Sequence, residues 1–328
     1  MNHHHPRMID RTNTRSLPEL YAMFEATGLI RRLLELAHDE DMGVPRPSSA
    51  PGRDTVRSDG DITSECCVDV ARIGEAGVVA RGAGTIAGLA ALPELMRLFA
   101  PSSSVETQAI DGDTVPAMTT VATLRGPLDE LLGLERTLLN LLGRLSGIAT
   151  RTRAFAEAME PGCRARLYDT RKTTPGLRVL EKYAVRCGGG FCHRIGLFDA
   201  VLIKDNHIAG VSVAELPRVI QRAATLARVK SHPAFVEVEV DTLEQYEALL
   251  TLPPGTVDII LLDNMSCEHM SHAARRRDEV NPTLELEASG GITLATIGPV
   301  SRTGVDRISV GGLTHSAVVL DVAMDVEG

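Results

Sequence analysis

Six short apolar runs recur between residues 164 and 310: Arg164–Tyr168, Ala200–Ile203, Phe235–Val240, Asp258–Leu262, Leu284–Ala288 and Arg307–Val310. Stretches of helical periodicity separate them, over Val213–Arg228, Leu243–Leu250, Cys267–Val280 and Leu294–Arg302. Strands joined through helices cross over and pair in parallel, so this alternation predicts one parallel α/β sheet. A barrel or an open doubly wound sheet satisfies the pattern equally.

The ends of these runs favour the barrel. They lead into Asp169-Thr170-Arg171-Lys172, Lys204-Asp205-Asn206-His207, Glu239 with Asp241, Asp263-Asn264, Ser289-Gly290-Gly291 and Gly311-Gly312. Parallel folds bind ligands at the carboxyl ends of strands, and only a barrel gathers all six ends around one mouth. Cations, carboxylates and glycine pairs also fall in separate blocks. Between Arg164 and His207, nine Lys/Arg face four acids in a chain whose formal charge is −9. A cationic island in an acidic protein points to a small anionic ligand. Glycine pairs in the last two strand-end positions let the backbone approach an oxyanion, and the helices after them are expected to offer free N–H groups. Glu239 and Asp263, facing such a ligand, suggest Mg²⁺ or sugar hydroxyls between them. Cys187, Cys192 and His193 have the wrong rhythm for a closed zinc site. His193, wedged between Cys192 and Arg194, is expected to face the cavity.

The first 125 residues read as an α+β layer. Pro18–His38 has helical spacing, and Cys66–Leu92 resembles a meander of small strands. Leu92–Ala100 reads as a short helix. Val105–Ile110 and Thr119–Leu124 bracket DGDTVP and read as an antiparallel pair. Pro127 opens a long helix whose leucines (131, 132, 134, 138, 139, 141, 142, 145) are dense enough to require burial on more than one side, with Gly147 as a candidate interruption. Aromatics make up 3% of the chain and Trp is absent, so the core must be aliphatic. Six cysteines without framework spacing fit a reducing compartment, and a cytoplasmic location is expected. No apolar run approaches the ~18 residues that would span a bilayer. The acidic balance and scarce aromatics argue against nucleic-acid binding.

With these residues assembled, the chain resembles the quinolinate phosphoribosyltransferase family from about Pro18 to its end. The motifs that carry the resemblance are ERTLLNLLGRLSGIAT, DTRKTTPGLR, KYAV followed by GGG and HR, LIKDNH, EVEV, LLDN, SGG and GVDRISVGGLTHS. It implies an irregular open α/β barrel with fewer than eight parallel strands over residues 140–316 and an N-terminal α+β mixed-sheet domain over 17–139. Residues 317–328 would pack back on that domain, and residues 1–16, with the His3–His5 run, would be disordered or tag-like. The working unit would be a homodimer, with assembly beyond the dimer left open, whose active site is completed by Arg136 from the partner. By resemblance Arg171, His193, Arg194 and Lys204 would hold the two carboxylates of quinolinate. Lys172 would face 5-phosphoribosyl 1-pyrophosphate, while Glu239 and Asp263 would bind ribose hydroxyls and Mg²⁺. Ser289, Gly290 and Gly311 would cradle the 5-phosphate, with His315 nearby. The implied reaction gives nicotinate mononucleotide, CO₂ and pyrophosphate without a covalent enzyme intermediate. Three departures stand out: Cys192 where the family has Asn, Met118 in place of a turn glycine, and a longer insertion around Val44–Ser58. Two other readings stay open at this point. One is a related phosphoribosyltransferase acting on another pyridine or pyrimidine, including a paralogue linked to metal transport. The other is a catalytically inactive barrel that binds phosphate ligands.

Overall fold

The computed structural model describes residues 12–43, 60–69 and 71–327, so the His3–His5 run and the whole Val44–Ser58 insertion lie outside the described residues. The chain divides into two compact units.

One unit comprises residues 16–151, 174–189 and 317–328. Its strands are β1 (Ile73–Ala80), β2 (Gly84–Thr85), β3 (Ser104–Thr107), β4 (Thr114–Val115) and β5 (Thr119–Pro127). β1 and β3 flank β5 in antiparallel pairing, and the C-terminal Val322–Glu327 strand pairs antiparallel with the other edge of β1. β2 and β4 form a separate two-stranded ribbon.

Three local expectations change here. The single helix expected over Pro18–His38 is two, Leu17–Glu25 and Leu29–Met42, because Gly28 takes a left-handed φ of 72° that a helix cannot pass through. The expected strand meander after residue 66 holds only β1 and the two-residue β2. Cys66 and Cys67 end a helix begun at Ile62, where the Asp61 carboxylate accepts the Thr63 and Ser64 amides. The long helix runs uninterrupted from Leu128 to Glu157 through Gly147. A side chain at Gly147 would collide with the Val318 carbonyl, and one at Gly143 would stand 2.8 Å from the Leu320 carbonyl oxygen. These glycines therefore serve the close approach of residues 318–320. Leu131, Leu134, Leu138, Leu142 and Leu145 are buried, and so are Leu139 and Leu141 on other faces. Each is worth roughly 1.5–3 kcal/mol relative to exposure.

The other unit comprises residues 152–173 and 190–316 with the described part of residues 1–15. It holds β6 (Arg166–Tyr168), β7 (Val201–Ile203), β8 (Val236–Val240), β9 (Ile259–Asp263), β10 (Glu285–Ser289) and β11 (Arg307–Ser309). They form one parallel sheet in the order β6-β11-β10-β9-β8-β7. β6 and β7, the two edges, do not pair with each other, so the barrel is open. All five residues of β8 are buried, as in a strand covered on both faces. Helices Leu216–Ser231, Leu243–Leu250, Cys267–Val280 and Ile297–Ser301 supply crossovers, the middle two with the bounds read from periodicity. The strand following Ser316 is numbered β12 (Val322–Glu327).

Candidate active site

Period-two alternation sorts the inward side chains of the barrel into levels. On β8 they are Glu237 and Glu239; on β10, Glu287 and Ser289; on β11, Arg307 and Ser309. Parallel pairing sets Glu287 opposite both Leu261 and Arg307, and Ser289 opposite Asp263. Asp263, Ser289 and the residues that follow β6, β7 and β11 therefore stand at the C-terminal mouth, with Glu237, Glu287 and Arg307 beneath.

At the mouth, Arg171 and Arg194 lie close enough that the Arg171 charge acts on Arg194. Burial first, and then that like charge, lowers the Arg194 pKa. Arg194 Nη1 donates to the Ala200 carbonyl at 3.3 Å. Arg171 Nε is buried and makes no hydrogen bond among the described residues. Glu237 and Asp199 offset part of this on Arg194, and two guanidinium groups within reach of each other's charge remain an arrangement that an anion would relieve. Lys204, from the end of β7, reaches Glu239 on β8, with Nζ 2.9 Å from Oε2.

The opposite side of the mouth is built from glycines. Gly290 has a φ of 92°, and a Cβ there would strike the Asn264 side chain and stand 2.9 Å from the Asn264 amide nitrogen. Asn264 itself adopts a φ of 53°, donates its amide to the Ser289 carbonyl at 2.9 Å and donates from Nδ2 to Asp263 at 2.7 Å. A Cβ at Gly311 would approach Lys172 Cδ to 2.8 Å and His315 Nε2 to 3.2 Å. Gly311, Lys172 and His315 are thus brought together. Thr314, absent from the sequence reading, ties this side to the DTRK segment by donating to the Lys172 carbonyl at 2.7 Å. The expected helix termini at the phosphate side are minor, because Ile297–Ser301 and Gly312–His315 are only five and four residues long. Main-chain approach through the glycines is what remains.

His193 is buried beneath this surface. Its Nε2 lies 3.0 Å from Glu237 and 3.4 Å from Glu287, and its Nδ1 accepts the Arg194 amide at 2.8 Å. Burial by itself would strip the ring of a proton, but the Glu287 and Glu237 carboxylates outweigh it and push the His193 pKa up to about 9. Glu237 is raised by burial and by Glu287. Glu287 is held down at about 2 despite its burial, because His193 and Arg307 favour its charge. That proton belongs to the group as a whole, and because Nδ1 accepts the Arg194 amide it is carried by Glu237, leaving the ring neutral with its hydrogen on Nε2. Glu237, Glu287 and Arg307 were not singled out in the sequence; the alternation in EVEV and in LELEAS was the available signal.

Two sets of residues could hold a metal. His193, Glu237 and Glu287 offer ligand atoms within 4.8 Å of one another. Arg307 Nε, 2.8 Å from Glu287, already provides a cation there. At the mouth, Asp263 and Glu239 are carboxylates on adjacent strands, a donor set that fits a magnesium ion keeping most of its waters. The Cys192 position, where an Asn side chain was expected, is bonded through its backbone: Asn13 accepts the Cys192 amide at 2.8 Å and donates to its carbonyl at 2.9 Å. Residues 12–16, set aside in the sequence reading, thus include a placed Asn13. Arg136 belongs to the other unit, with a side chain 69% exposed.

Comparison with known proteins adds the family. Residues 61–146 match the model described as the N-terminal domain of quinolinate phosphoribosyl transferase, and residues 148–325 that of its C-terminal domain. The chain is 43% identical over 274 residues to the nicotinate-nucleotide pyrophosphorylase (carboxylating) of Mycobacterium leprae, covering 81% of this chain and 91% of that one. A probable enzyme of the same name from Synechocystis is 43% identical over 254 residues, covering 77% and 83%. Among solved structures, NadC from Streptococcus pyogenes superposes with a TM-score of 0.77 at 35% identity, covering 91% of this chain and 96% of that one. No helix of the described residues is long and apolar enough to cross a membrane.

Proposed function

The chain belongs to the quinolinate phosphoribosyltransferase family, and from that premise we propose that it converts quinolinate and 5-phosphoribosyl 1-pyrophosphate to nicotinate mononucleotide, CO₂ and pyrophosphate. The observation that carries this reading is the Arg171–Arg194 pair, two cations set against each other, with Arg171 Nε buried and making no hydrogen bond among the described residues. A dianionic pyridine supplies what they lack.

In this reading Arg171, Arg194 and Lys204 clamp the two carboxylates, and His193 serves the clamp at its buried edge. Ser289, Gly290 and Gly311 hold the 5-phosphate, with Lys172 and His315 beside it. Glu239 and Asp263 take the ribose hydroxyls, and Asp263 is the better placed for a magnesium ion because Glu239 is already paired with Lys204. Mg²⁺ bound there would neutralise charge on the departing pyrophosphate. Displacement at the sugar C1 needs no protein nucleophile; positioning and preorganised charge lower the barrier. Once its nitrogen is ribosylated, the pyridinium stabilises the carbanion left by the departing carboxylate.

The exposure of Arg136 supports a homodimer in which it completes the partner's site. Release of pyrophosphate and CO₂ from quinolinate, but not pyrophosphate from nicotinate, is the expected assay result; the reverse preference, or no turnover, overturns the reading. Arg136→Ala and Lys204→Ala chains, each inactive alone, should recover about a quarter of wild-type activity when mixed, since half the dimers are hybrids with one intact site. No recovery after confirmed subunit exchange removes the shared site.

A further inference from the structure

The interior of a parallel barrel is ordinarily filled by branched aliphatic side chains. Here one level below the mouth holds His193, Glu237, Glu287 and Arg307, all less than a tenth exposed. Buried ionic clusters seldom stabilise a fold better than apolar packing of the same volume. A site role is the alternative, and the hydrogen bonds around residue 193 suggest which.

Four successive main-chain amides between β6 and β7 are captured by side chains. His193 N donates to Asp169 Oδ1 at 2.8 Å, and Arg194 N donates to His193 Nδ1 at 2.8 Å. Ile195 N and Gly196 N donate to the Asp199 carboxylate at 2.6 and 2.9 Å. Among the described residues the Arg194 guanidinium has one weak hydrogen bond of its own, to Ala200, with Arg171 as a like-charged neighbour and the Glu237 and Asp199 charges acting on it without a hydrogen bond to fix its direction. Its aim is therefore set by the main chain that carries it.

That main chain depends on a bare Nδ1. A proton on Nδ1 would face the Arg194 N–H, donor against donor. The hydrogen must sit on Nε2, and the carboxylates of Glu237 and Glu287 are what hold it there. The groups facing the ring from each packed element agree with this. Tyr168 on β6 and Phe235 before β8 meet it edge-on at 6.4 and 5.4 Å. Arg307 on β11 pairs with Glu287 at 2.8 Å, approaches Glu285 at 3.4 Å and lies 3.7 Å over the Tyr168 ring, fixing the carboxylate that would otherwise turn away. β9 contributes only aliphatic residues at this level.

We propose that Glu237, Glu287 and Arg307 are positioning residues for the pyridine-dicarboxylate site, acting through His193: they hold its ring in the Nε2–H form, so that Nδ1 anchors the Arg194 amide and aims the Arg194 guanidinium. This rests on the function proposed above and extends it to three residues that touch no substrate.

Two measurements test it. In ¹⁵N-histidine-labelled full-length protein, with His193 identified by its loss in His193→Asn, the wild type should show a neutral ring with Nε2 protonated. A ring protonated on Nδ1, alone or together with Nε2, overturns the proposal whether or not any variant folds. In steady-state assays with quinolinate, 5-phosphoribosyl 1-pyrophosphate and Mg²⁺, Glu237→Gln and Glu287→Gln should raise the quinolinate KM about 10-fold, with the KM for the sugar phosphate changed less than about twofold. A lowered melting temperature with both KM values unchanged would make the cluster structural only. Absence of turnover in the wild type would defeat the functional reading, while the ring spectrum still decides the His193–Arg194 linkage.

Discussion

The mouth of the barrel and the level beneath it are built from the same residue types and treat charge in opposite ways. Beneath, opposite charges are packed together: Glu287 lies against Arg307 and His193, and Glu237 against His193, although Glu237 Oε1 and Oε2, Glu287 Oε1 and Arg307 Nη2 make no hydrogen bond among the described residues. At the mouth, the Arg171 charge acts on Arg194, Lys172 is exposed beside Gly311, and Asp263 has the neutral Asn264 as its side-chain hydrogen-bond partner among the described residues. The lower level sets carboxylates against Arg307 and His193 within the fold, while the mouth sets like charges near one another beside the Lys204–Glu239 pair. Charge left uncompensated at partly exposed strand ends is a signature of binding. Charge compensated in the interior is a signature of shape.

The sharpest way to break this contrast is to remove one mouth cation. Arg171→Ala should lower kcat/KM for quinolinate by about 100-fold, the loss expected for a charge-assisted hydrogen-bond partner. Its melting temperature should stay level or rise, because the neighbouring Arg194 is relieved of a like charge. A large fall in melting temperature without loss of kcat/KM would place Arg171 among the structural charges.

On the glycine side the expected effect is smaller. A methyl group at Gly311 would stand 2.8 Å from Lys172 Cδ, so Lys172 must move aside. Gly311→Ala should raise the KM for 5-phosphoribosyl 1-pyrophosphate about 10-fold and leave the quinolinate KM nearly unchanged. Equal effects on both substrates would mean that the two halves of the mouth do not bind separate ligands.

The lower level should betray itself in the pH dependence of stability. Unfolded, a histidine releases its second proton near 6.5; in the fold the His193–Glu237–Glu287 group retains that proton up to about 9, carried by Glu237 while the ring stays neutral. The folded chain thus binds more protons between those values. Stability from this source is complete below about pH 6.5 and is lost as pH rises toward 9. The melting temperature of the wild type should fall over that window, and His193→Asn should flatten the fall. Glu287, held at about 2, contributes in the other direction, with stability lost as the pH drops from about 4.5 toward 2.

Much of this architecture was legible from periodicity, and what escaped has physical reasons. Six strands and two helices at full length came from patterns of two and 3.6, because burial on defined faces writes those periods directly into the residues. The break at Gly28 and the continuity through Gly147 could not be told apart in sequence. One glycine supplies a left-handed turn and the other supplies space for Val318, and only packing distinguishes them. At the site, motif residues such as Arg171 and Lys204 declared themselves by charge at strand ends. Glu237 and Glu287 did not, because a carboxylate alternating with valine or leucine reads equally well as a solvated face. That His193 engages Glu237 and Glu287 follows from which strands become neighbours, a long-range fact no local window contains.

A last test lies outside both levels and so serves as their control. Met118, where the resemblance implies a turn glycine, adopts a φ of 63° and is 62% exposed. A non-glycine residue held in that left-handed region costs about 1–2 kcal/mol. Glycine would remove that strain but gain freedom in the unfolded chain, a penalty of roughly 0.5–1 kcal/mol. The side chain offers little in return, since its sulfur only meets Arg81 Nη1 at 3.9 Å. Met118→Gly should therefore stabilise the protein by about 0.5–1 kcal/mol, seen as a small rise in denaturant midpoint with unchanged slope. Both KM values should stay put. A shift in either would mean that the N-terminal sheet and the barrel mouth are energetically coupled, and that mouth and lower level cannot be treated as a closed pair.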